Sequence, residues 1–236
     1  MTKNFPKVTS SQTPPTSVPA RVAEAVQAMI RERGLRPEDP LPLQRELTSL
    51  LGASRPSVRE GLSMLETLGH LRVEDRCGLF VADPDAMPAA SHRRFPDGYS
   101  LREIYQFRLM LELATLTLAL PRIAAEDMGE LKHLTETMLT GARQGQPVRA
   151  AECDTLFHGL IFLRCPNRIY QDVRKQLSRE MQESQWMPMT LPDWVKETAQ
   201  EHFRIVEALE ADRREEACTL LESHIRAAAV RANVEM

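Results

Sequence analysis

Four side chains in the second half of the chain have the types and the spacing of a divalent-metal site. Asp154 and His158 lie four residues apart, so their side chains share one face if the segment is helical. His202 and His224 lie in two further segments with helical periodicity. Three imidazoles and a carboxylate suit a borderline divalent ion such as Zn²⁺, Ni²⁺ or Mn²⁺. From the spacing alone the alternative stays open, because a buried histidine is more often a hydrogen-bonded core residue than a ligand.

The helices that would position these ligands run from Leu101 to the end of the chain. Prolines, glycines and polar residues divide this half into six segments with apolar faces at helical spacing. They are predicted as helices over Leu101–Leu120, Ala125–Ala142, Val148–Arg164, Asn167–Met187, Asp193–Ala211 and Arg213–Asn233. Because the connections are short, the helices should form an antiparallel bundle, and such bundles commonly hold metals in their cores.

The first half is organised around Leu41–Val81, which reads as two short helices followed by a two-stranded wing. Ser54 is a good N-cap for the second helix, and Pro56 lies in the first turn, where its missing N–H is harmless. A supporting helix is predicted over Arg21–Arg33, followed by a proline-rich connection over Leu35–Leu43. An apolar stripe on the second helix should pack on its neighbours; it comprises Val58, Leu62, Leu65 and Leu68.

This arrangement predicts a helix-turn-helix whose second helix enters the major groove of DNA. Polar residues with donor groups precede or begin that helix, and a polar turn forms the tip of the wing. The candidate DNA-binding residues are Arg45, Ser54, Arg55, Ser57 and Arg59 in the two helices, with Arg76 and Gly78 in the wing.

The same stretch resembles the winged helix-turn-helix of the GntR family of bacterial transcription regulators. About forty residues are covered, and several short motifs stand at matching offsets: Leu41-Pro42, Arg45-Glu46-Leu47, Leu51-Gly52, Ser54-Arg55, Val58-Arg59-Glu60, Leu62, Leu65, Gly69, Gly78 and Phe80-Val81. Leu43-Gln44 stands where the family usually has Ser-Glu. The wing carries Arg76-Cys77-Gly78 where a run of glycines or basic residues is common.

The second half resembles the FCD ligand-binding domain of the FadR branch of that family. The matching residues are Asp154, Phe157, His158, Ile161 and Asn167, then His202, Ile205, Ala208, Leu209, Asp212 and Ala217, and finally His224-Ile225. In metal-binding members the corresponding Asp and three His are the ligands. The resemblance therefore implies a metal at Asp154, His158, His202 and His224, with zinc favoured.

Arg108 is the candidate for binding an effector carboxylate. It stands in a motif similar to the family's R-x-x-L/I-E. The family's ligands are mostly small organic acids, and a guanidinium group can bind a carboxylate with two hydrogen bonds. An equally compatible reading is an ion pair with Glu112, four residues further along the helix. Asn167 is expected to add a polar contact to the ligand.

Composition bounds the remaining possibilities. The formal net charge is −3, so any basic surface must be local, and the segment 21–83 carries nine Arg against ten Asp or Glu. The four cysteines form no C-x-x-C pair. No apolar run is long enough to span a membrane, and the first 20 residues have no apolar core of a secretory signal, so a cytoplasmic protein is expected.

The sequence thus predicts a mainly α chain with four parts: a disordered arm over 1–18, a winged helix-turn-helix domain over 19–84, a linker over 85–99, and an all-α helical bundle for ligand binding and dimerisation over 100–236. The expected function is a homodimeric, acid-responsive regulator, most simply a repressor, that binds a palindromic operator in double-stranded DNA. The alternative is a metal-dependent hydrolase with an appended DNA module, since three His and an Asp with an open position could activate water.

Overall fold

The computed structural model describes residues 17–74, 78–83, 95 and 98–236. The described chain is mostly helical, with one small sheet near its N-terminal end. The predicted fold class is confirmed: a winged helix-turn-helix is followed by an all-α bundle. The predicted arm lies outside the described residues up to position 16, as does most of the predicted linker.

Three helices form the core of the first domain: α1 (Val18–Glu32), α2 (Gln44–Leu51) and α3 (Arg55–Thr67). α1 begins three residues earlier than predicted, because the Ser17 side chain accepts a hydrogen bond from Ala20 N–H and caps the helix. α1 and α3 pack so closely that a Cβ at Gly61 would lie 2.6 Å from the Pro19 carbonyl oxygen.

The wing is a three-stranded antiparallel sheet with β1 (Pro40–Leu41), β2 (Leu71–Glu74) and β3 (Gly78–Val81) in the order β1-β3-β2. The two-stranded wing of the sequence prediction is therefore incomplete. The end of the segment predicted as a connection pairs with β3, in the register Pro40 to Phe80 and Leu41 to Leu79. β1 has only two residues, which is too short for an alternation of apolar and polar side chains to be visible in the sequence.

Seven α-helices of the second domain follow in the described chain. They are α4 (Leu101–Ala119), α5 (Ala125–Arg143), α6 (Pro147–Arg164), α7 (Arg168–Gln176), α8 (Ser178–Trp186), α9 (Pro192–Glu210) and α10 (Arg214–Arg231). Short 3-10 turns at Leu120–Arg122 and Met187–Met189 follow α4 and α8. Each turn contains a proline, which removes a helical N–H donor.

The single helix predicted over Asn167–Met187 is wrong, because the chain breaks at Leu177, whose backbone leaves the helical region with φ −105° and ψ 26°. α7 has no buried residue, whereas α8 buries six of its nine. The change of direction allows α8 to enter the core while α7 stays on the surface, and no proline or glycine marks the break.

The bundle packs α5 against α6 and α9, and α10 against α9 and α4. α6, α9 and α10 therefore surround one interior region, with α4 closing it from another side. Within the predicted linker, Phe95 is described and buried, and its N–H donates to the Tyr99 carbonyl. None of the helices in the described part of the chain is long and apolar enough to cross a lipid bilayer.

Candidate metal centre and nucleic-acid interface

The four predicted metal ligands meet in the interior of the bundle. Asp154 and His158 come from α6, His202 comes from α9 and His224 comes from α10. One ligand atom of each lies within 4.8 Å of the others, and every one of the four side chains is at least 98% buried. His158 Nε2 and His224 Nε2 are 3.3 Å apart, and Asp154 Oδ1 lies 3.5 Å from His202 Nε2 and 3.8 Å from His158 Nε2. The donor atoms therefore converge on one point from three helices.

Two further carboxylates contact the imidazoles: the one at His224 is in a hydrogen bond, whereas the one at His158 is in a close contact whose geometry is not that of a hydrogen bond. Glu112 Oε2 on α4 lies 2.5 Å from His158 Nδ1, and Glu201 Oε2 on α9 lies 2.8 Å from His224 Nδ1. A proton on each Nδ1 leaves the opposite nitrogen, Nε2, with its lone pair directed into the cluster. Histidine ligands of protein metals are held by carboxylates in this way. Sequence analysis missed Glu201 altogether and assigned Glu112 only to an ion pair with Arg108.

His202 provides an observation that tests whether the cluster fits a metal. Its ring is fully buried and stacks on Phe157, with ring centroids 4.0 Å apart. Neither of its ring nitrogens has a hydrogen-bond partner within the described residues. A buried polar atom without a partner costs free energy, so an unpaired imidazole beside a carboxylate and two more imidazoles fits a cation as the missing partner.

The protonation of the cluster agrees with a cation site. Burial lowers the pKa of His202 well below its ordinary value, and the neighbouring His224 and His158 lower it further. Burial also lowers the pKa of His224, outweighing its hydrogen bond to Glu201. Burial raises the pKa of Asp154 to about 7, against the opposing effect of His224. Neutral imidazoles are the form that binds metals, and a bound cation would favour the ionised form of Asp154.

The carboxylate of Glu201 remains ionised. Burial raises its pKa, but hydrogen bonds from Arg231 and His224 outweigh burial and bring the pKa to about 2. Arg231 donates from Nη1 and Nη2 to the two carboxylate oxygens at 2.9 and 2.8 Å. The carboxylate of Glu201, which orients His224, is thus itself held by a bidentate ion pair with Arg231.

Arg108 is 1% exposed and its Nε donates to Glu112 Oε1 at 2.8 Å, which is the ion pair that the sequence left open. Its Nη1 donates to Ser184 Oγ at 3.2 Å, and its guanidinium carbon lies 5.4 Å from the centre of the Tyr105 ring. Glu112 has a pKa below its ordinary value, because His158 and Arg108 outweigh the effect of burial. Arg108 and the metal cluster therefore share one buried carboxylate.

Asn167 lies apart from this network. It is exposed at the N-cap of α7, where its Oδ1 accepts from Ile169 N–H at 3.1 Å. A different residue of α7, Arg174, reaches inward and was not singled out from the sequence. Its Nη2 donates to the Thr155 carbonyl at 3.3 Å, and its guanidinium carbon lies 5.2 Å from the centre of the Phe162 ring.

The candidate DNA-binding residues gather at the start of α3. Ser54 caps the helix by accepting from Ser57 N–H at 3.3 Å, and the two hydroxyl oxygens are 2.9 Å apart. Gly52 supplies the turn between α2 and α3 with a left-handed φ of 60°, which favours glycine. Arg55 begins α3 and is exposed, as is Arg45 on α2. The turn thus brings a cationic, hydroxyl-rich helix N-terminus to the surface, which is a favourable site for phosphate.

The other DNA-binding candidates are placed differently. Arg59 is exposed one turn beyond Arg55, but it lines a cleft between α3 and α8. Gly78 begins β3 with φ 127°, and Arg76 lies outside the described residues. The wing's Arg72 forms ion pairs with Glu74 and Glu38, so its charge is already compensated.

Comparisons with known proteins follow the same division of the chain. The family model for bacterial regulatory proteins of the gntR family matches residues 19–81, and the FCD domain model matches residues 103–227. The uncharacterised HTH-type transcriptional regulator YcbG of Bacillus subtilis is 29% identical over 157 residues, covering 66% of each chain. The HTH-type transcriptional repressor NanR of Cronobacter sakazakii is 26% identical over 221 residues, which is 86% of this chain and 81% of NanR.

A solved structure of McbR/YncC from Escherichia coli matches with a TM-score of 0.51 at 21% identity, covering 92% of this chain and 97% of that one. This likeness concerns the fold alone. The hydrolase alternative is not favoured, because the matching families and the relatives are transcriptional regulators. The chain belongs to the gntR family of bacterial regulatory proteins and carries an FCD domain after its winged helix-turn-helix.

Proposed function

We propose that this regulator senses a small organic acid at a metal held in the helical bundle and adjusts operator binding accordingly. The observation that carries the proposal is the convergence of Asp154, His158, His202 and His224 within 4.8 Å, fully buried and contacted by two carboxylates. A purely structural core would not need an imidazole without hydrogen-bond partners at its centre.

Zinc is the favoured occupant of this site. Three imidazole nitrogens and one carboxylate oxygen are ligands that Zn²⁺ accepts, while Ni²⁺ and Mn²⁺ also tolerate such a donor set. The bound ion would supply a Lewis-acidic position for an oxygen of the effector. The chain's own residues would hold the ion, orient its imidazoles and exclude bulk water.

Arg108 is assigned to the effector's carboxylate. Its Nε and Nη1 are engaged by Glu112 and Ser184, and no hydrogen bond occupies Nη2 among the described residues. The free edge of a buried guanidinium is a strong donor for a carboxylate. Asn167 keeps a secondary role in this proposal, as a polar contact that α7 would bring to the ligand in addition to capping its own helix.

Operator binding is assigned to the N-terminal end of α3 together with the wing. Arg45, Arg55 and Arg59 would reach phosphates and guanine edges, since arginine is the commonest reader of guanine O6 and N7. The hydroxyls of Ser54 and Ser57 would mainly contact phosphates. The wing, through Arg76 and Gly78, would approach the backbone or the minor groove.

If α3 contacts the operator in this way, the protein is expected to bind as a homodimer to a pseudo-palindromic operator, because the symmetry of the operator mirrors that of the protein. The bundle offers a surface for a second copy on α6, where Leu156 is 39% exposed and Leu163 is 60% exposed. These leucines are seven residues apart and therefore share one side of the helix. Such a regulator would work in the cytoplasm, where bacterial operators lie.

The two halves of the molecule are in contact through the helix that carries two metal ligands. α6 packs against α1 of the winged domain, and Glu152 on α6 accepts a hydrogen bond from Ser17 N–H at 2.6 Å. An acid that binds two arrangements of the domains with different affinity would shift their populations and thus the affinity for DNA. Repression relieved by the acid is the proposed outcome, and the Cronobacter relative is named a repressor.

A thermal-shift screen tests the effector class. Zinc-loaded protein is titrated with acetate, lactate, citrate and gluconate, and Arg108→Lys is titrated in parallel. Lysine keeps the charge beside Glu112 but lacks the planar fork, so it should retain zinc and lose the response to the acid. Arg143→Lys, on the exposed end of α5, is the matched control and should respond like the original chain. No response of the original chain to any of the acids would contradict the acid-sensing function.

A further inference from the structure

A second cleft lies between α1 of the winged domain and the first turn of α6, away from the metal cluster. Its volume is about 440 Å³. The residues that line it are mostly cationic or polar: Arg21, Glu24, Gln27, Arg31, Gln146 and Arg149, together with Ala25, Ala28 and Val148. Three guanidinium groups thus face one carboxylate, and the cleft has an excess of positive charge.

The three arginines that line the cleft form no close ion pair among the described residues. Arg72, Arg108, Arg164 and Arg231 all form close ion pairs with carboxylates. By contrast, no carboxylate lies within 4.0 Å of the guanidinium groups that line this cleft, as far as the described residues extend. The cleft therefore offers hydrogen-bond donors that the protein itself leaves free.

The N-terminus of α6 adds to this positive potential. α6 has 18 residues, no side chain in the described chain caps it, and its first turn contains no acidic residue. Its first residue, Pro147, lacks an N–H, and among the described residues no acceptor faces the N–H groups of Val148 and Arg149. α4 and α5, by contrast, have the first-turn acids Glu103 and Asp127. Free N–H groups and the helix dipole favour an anion at such an end.

Gln27 is the independent sign that the cleft is built for a ligand. Its side chain is 7% exposed and lines the cleft from α1. Its amide makes no hydrogen bond among the described residues, so its donors are available to a ligand in the cleft. A bound oxyanion would accept from this amide and from the surrounding guanidinium groups.

Glu24 is the one acidic side chain that lines the cleft. Burial raises its pKa above its ordinary value, Arg149 lowers it, and Glu152 raises it. Glu152 is engaged by Ser17 N–H. Arg149 thus interacts with the carboxylate of Glu24, and two guanidinium groups of the cleft remain in excess.

From these observations we propose that the cleft between α1 and α6 binds a phosphoryl group, either as inorganic phosphate or on a small phosphorylated metabolite. Several N–H donors around an excess of two positive charges suit a tetrahedral dianion, and arginines recognise phosphate by paired hydrogen bonds. Arg149 of this site lies five residues before Asp154 on α6, which corresponds to about 7.5 Å along the helix axis. It therefore joins the winged domain to the helix that carries the metal ligands, and it is separate from the proposed acid site.

The test is a thermal-shift titration of the full chain with inorganic phosphate and, separately, with glucose 6-phosphate. Sodium chloride is added to keep the ionic strength constant, so that the screening of charges is the same at every phosphate concentration. When the concentration of the phosphate compound is ten times its dissociation constant, the midpoint temperature of thermal unfolding should rise by about 3–6 °C. Arg149→Gln and Gln27→Leu should each lose this rise, and Arg143→Gln, whose arginine is exposed on α5 outside the cleft, should keep it. A response to glucose 6-phosphate alone would assign the site to a phosphorylated metabolite.

Two outcomes would overturn the proposal. The first is the absence of any saturable response of the original chain to either compound. The second is an equal response of Arg149→Gln and the original chain. A loss of affinity of Arg149→Gln for a random-sequence duplex, without any phosphate response, would assign the cleft to the DNA backbone instead. The phosphate response should be the same in zinc-loaded protein and in protein dialysed against a chelator, so the result does not depend on the metal or on the acid effector.

Discussion

His158 Nδ1 and Glu112 Oε2 lie 2.5 Å apart, and the other oxygen of the same carboxylate accepts from Arg108 Nε at 2.8 Å. One buried side chain of α4 thus contacts His158, a proposed metal ligand of α6, with one oxygen and the proposed effector-binding arginine with the other. An acid that contacts both the ion and Arg108 would act on two groups already coupled through Glu112.

Glu112→Gln should weaken zinc binding by about 10- to 100-fold, because the carboxylate that contacts His158 is replaced by a neutral amide. The substitution keeps a carbonyl oxygen of similar size, so the packing is nearly unchanged. It also leaves Arg108 without its buried counter-charge, which should cost about 3–5 kcal/mol of stability. Competition with a chromophoric chelator measures the affinity.

Glu136→Gln is the matched control, since Glu136 is exposed on α5. Zinc affinity should not change in this variant. If Glu112→Gln fails to fold, Glu201→Gln tests the corresponding carboxylate at His224. Its side chain is 19% exposed, so its replacement should disturb the core less. Unaltered zinc affinity in folded Glu112→Gln or Glu201→Gln would show that the carboxylates do not support the ligands.

That Asp154 and His158 share one face of a helix was predictable from their spacing, and the set of four as a metal site, which stays a prediction, was implied by the resemblance to the FCD domain. The partners of those residues were not predictable, since His158 meets Glu112 only after α4 packs on α6. The pairing of His224 with Glu201 likewise depends on how α9 and α10 are aligned. Spacing along one helix is visible in sequence, but contacts between helices depend on packing.

The winged domain shows the same limit. The cap at Ser54 and the left-handed turn at Gly52 follow from residue type, and both are present. The pairing of Pro40 with Phe80 joins residues forty positions apart and leaves no local pattern. The break at Leu177 also has no local sequence signal, because the reason for it is the burial of α8 beside α4 and α6.

Arg55→Ala should reduce affinity for the operator by about 10- to 100-fold, the effect expected for losing an arginine that reads a base or a phosphate. Arg55 is exposed and lies in the first turn of α3, so its removal should not unfold the domain. An operator fragment selected from random duplexes by the protein serves for a mobility-shift titration. Arg226→Ala, on the exposed side of α10, is the control, and equal affinity of Arg55→Ala and the original chain would remove Arg55 from the interface.

If the protein is the proposed homodimer, Leu163→Glu should convert it to a monomer. A carboxylate in the centre of an apolar contact loses its hydration without gaining a partner. Light scattering coupled to size exclusion measures the mass of the particle. Leu191→Glu, at another half-exposed leucine preceding α9, should remain dimeric. A dimeric Leu163→Glu would place the dimer contact elsewhere on the bundle.

Asp127→Asn should destabilise the chain by about 1 kcal/mol at neutral pH, because asparagine keeps an acceptor for Ala124 N–H but loses the charge that pairs with the partly exposed Arg164. Asp127 accepts from Ala124 N–H at the start of α5 and from two nitrogens of Arg164, at 2.8 and 2.6 Å. The hydrogen bonds from Arg164 are the main reason that the pKa of Asp127 lies below its ordinary value of 3.8. A carboxyl with a lowered pKa in the folded state stabilises above its unfolded pKa and loses that contribution as pH falls through the folded value.

Urea titrations of Asp127→Asn and the original chain should therefore differ at pH 7, and the difference should shrink below about pH 3.8 and vanish once the pH is below the lower pKa that Asp127 has in the folded chain. Asp193→Asn is the control, because its ion pair with Lys196 is exposed. A difference for Asp127→Asn that stays constant down to acid pH would mean that charge is not the source of the stabilisation.

Elemental analysis of protein purified without a histidine tag is the decisive measurement of whether the bundle holds a divalent metal. The original chain and His133→Ala, whose histidine is outside the cluster, should each contain about one zinc, nickel or manganese ion per chain. His202→Ala should contain far less, because it loses the imidazole that has no other partner. Equal metal content in His202→Ala and the original chain, or none in either after growth with added zinc, would contradict the account.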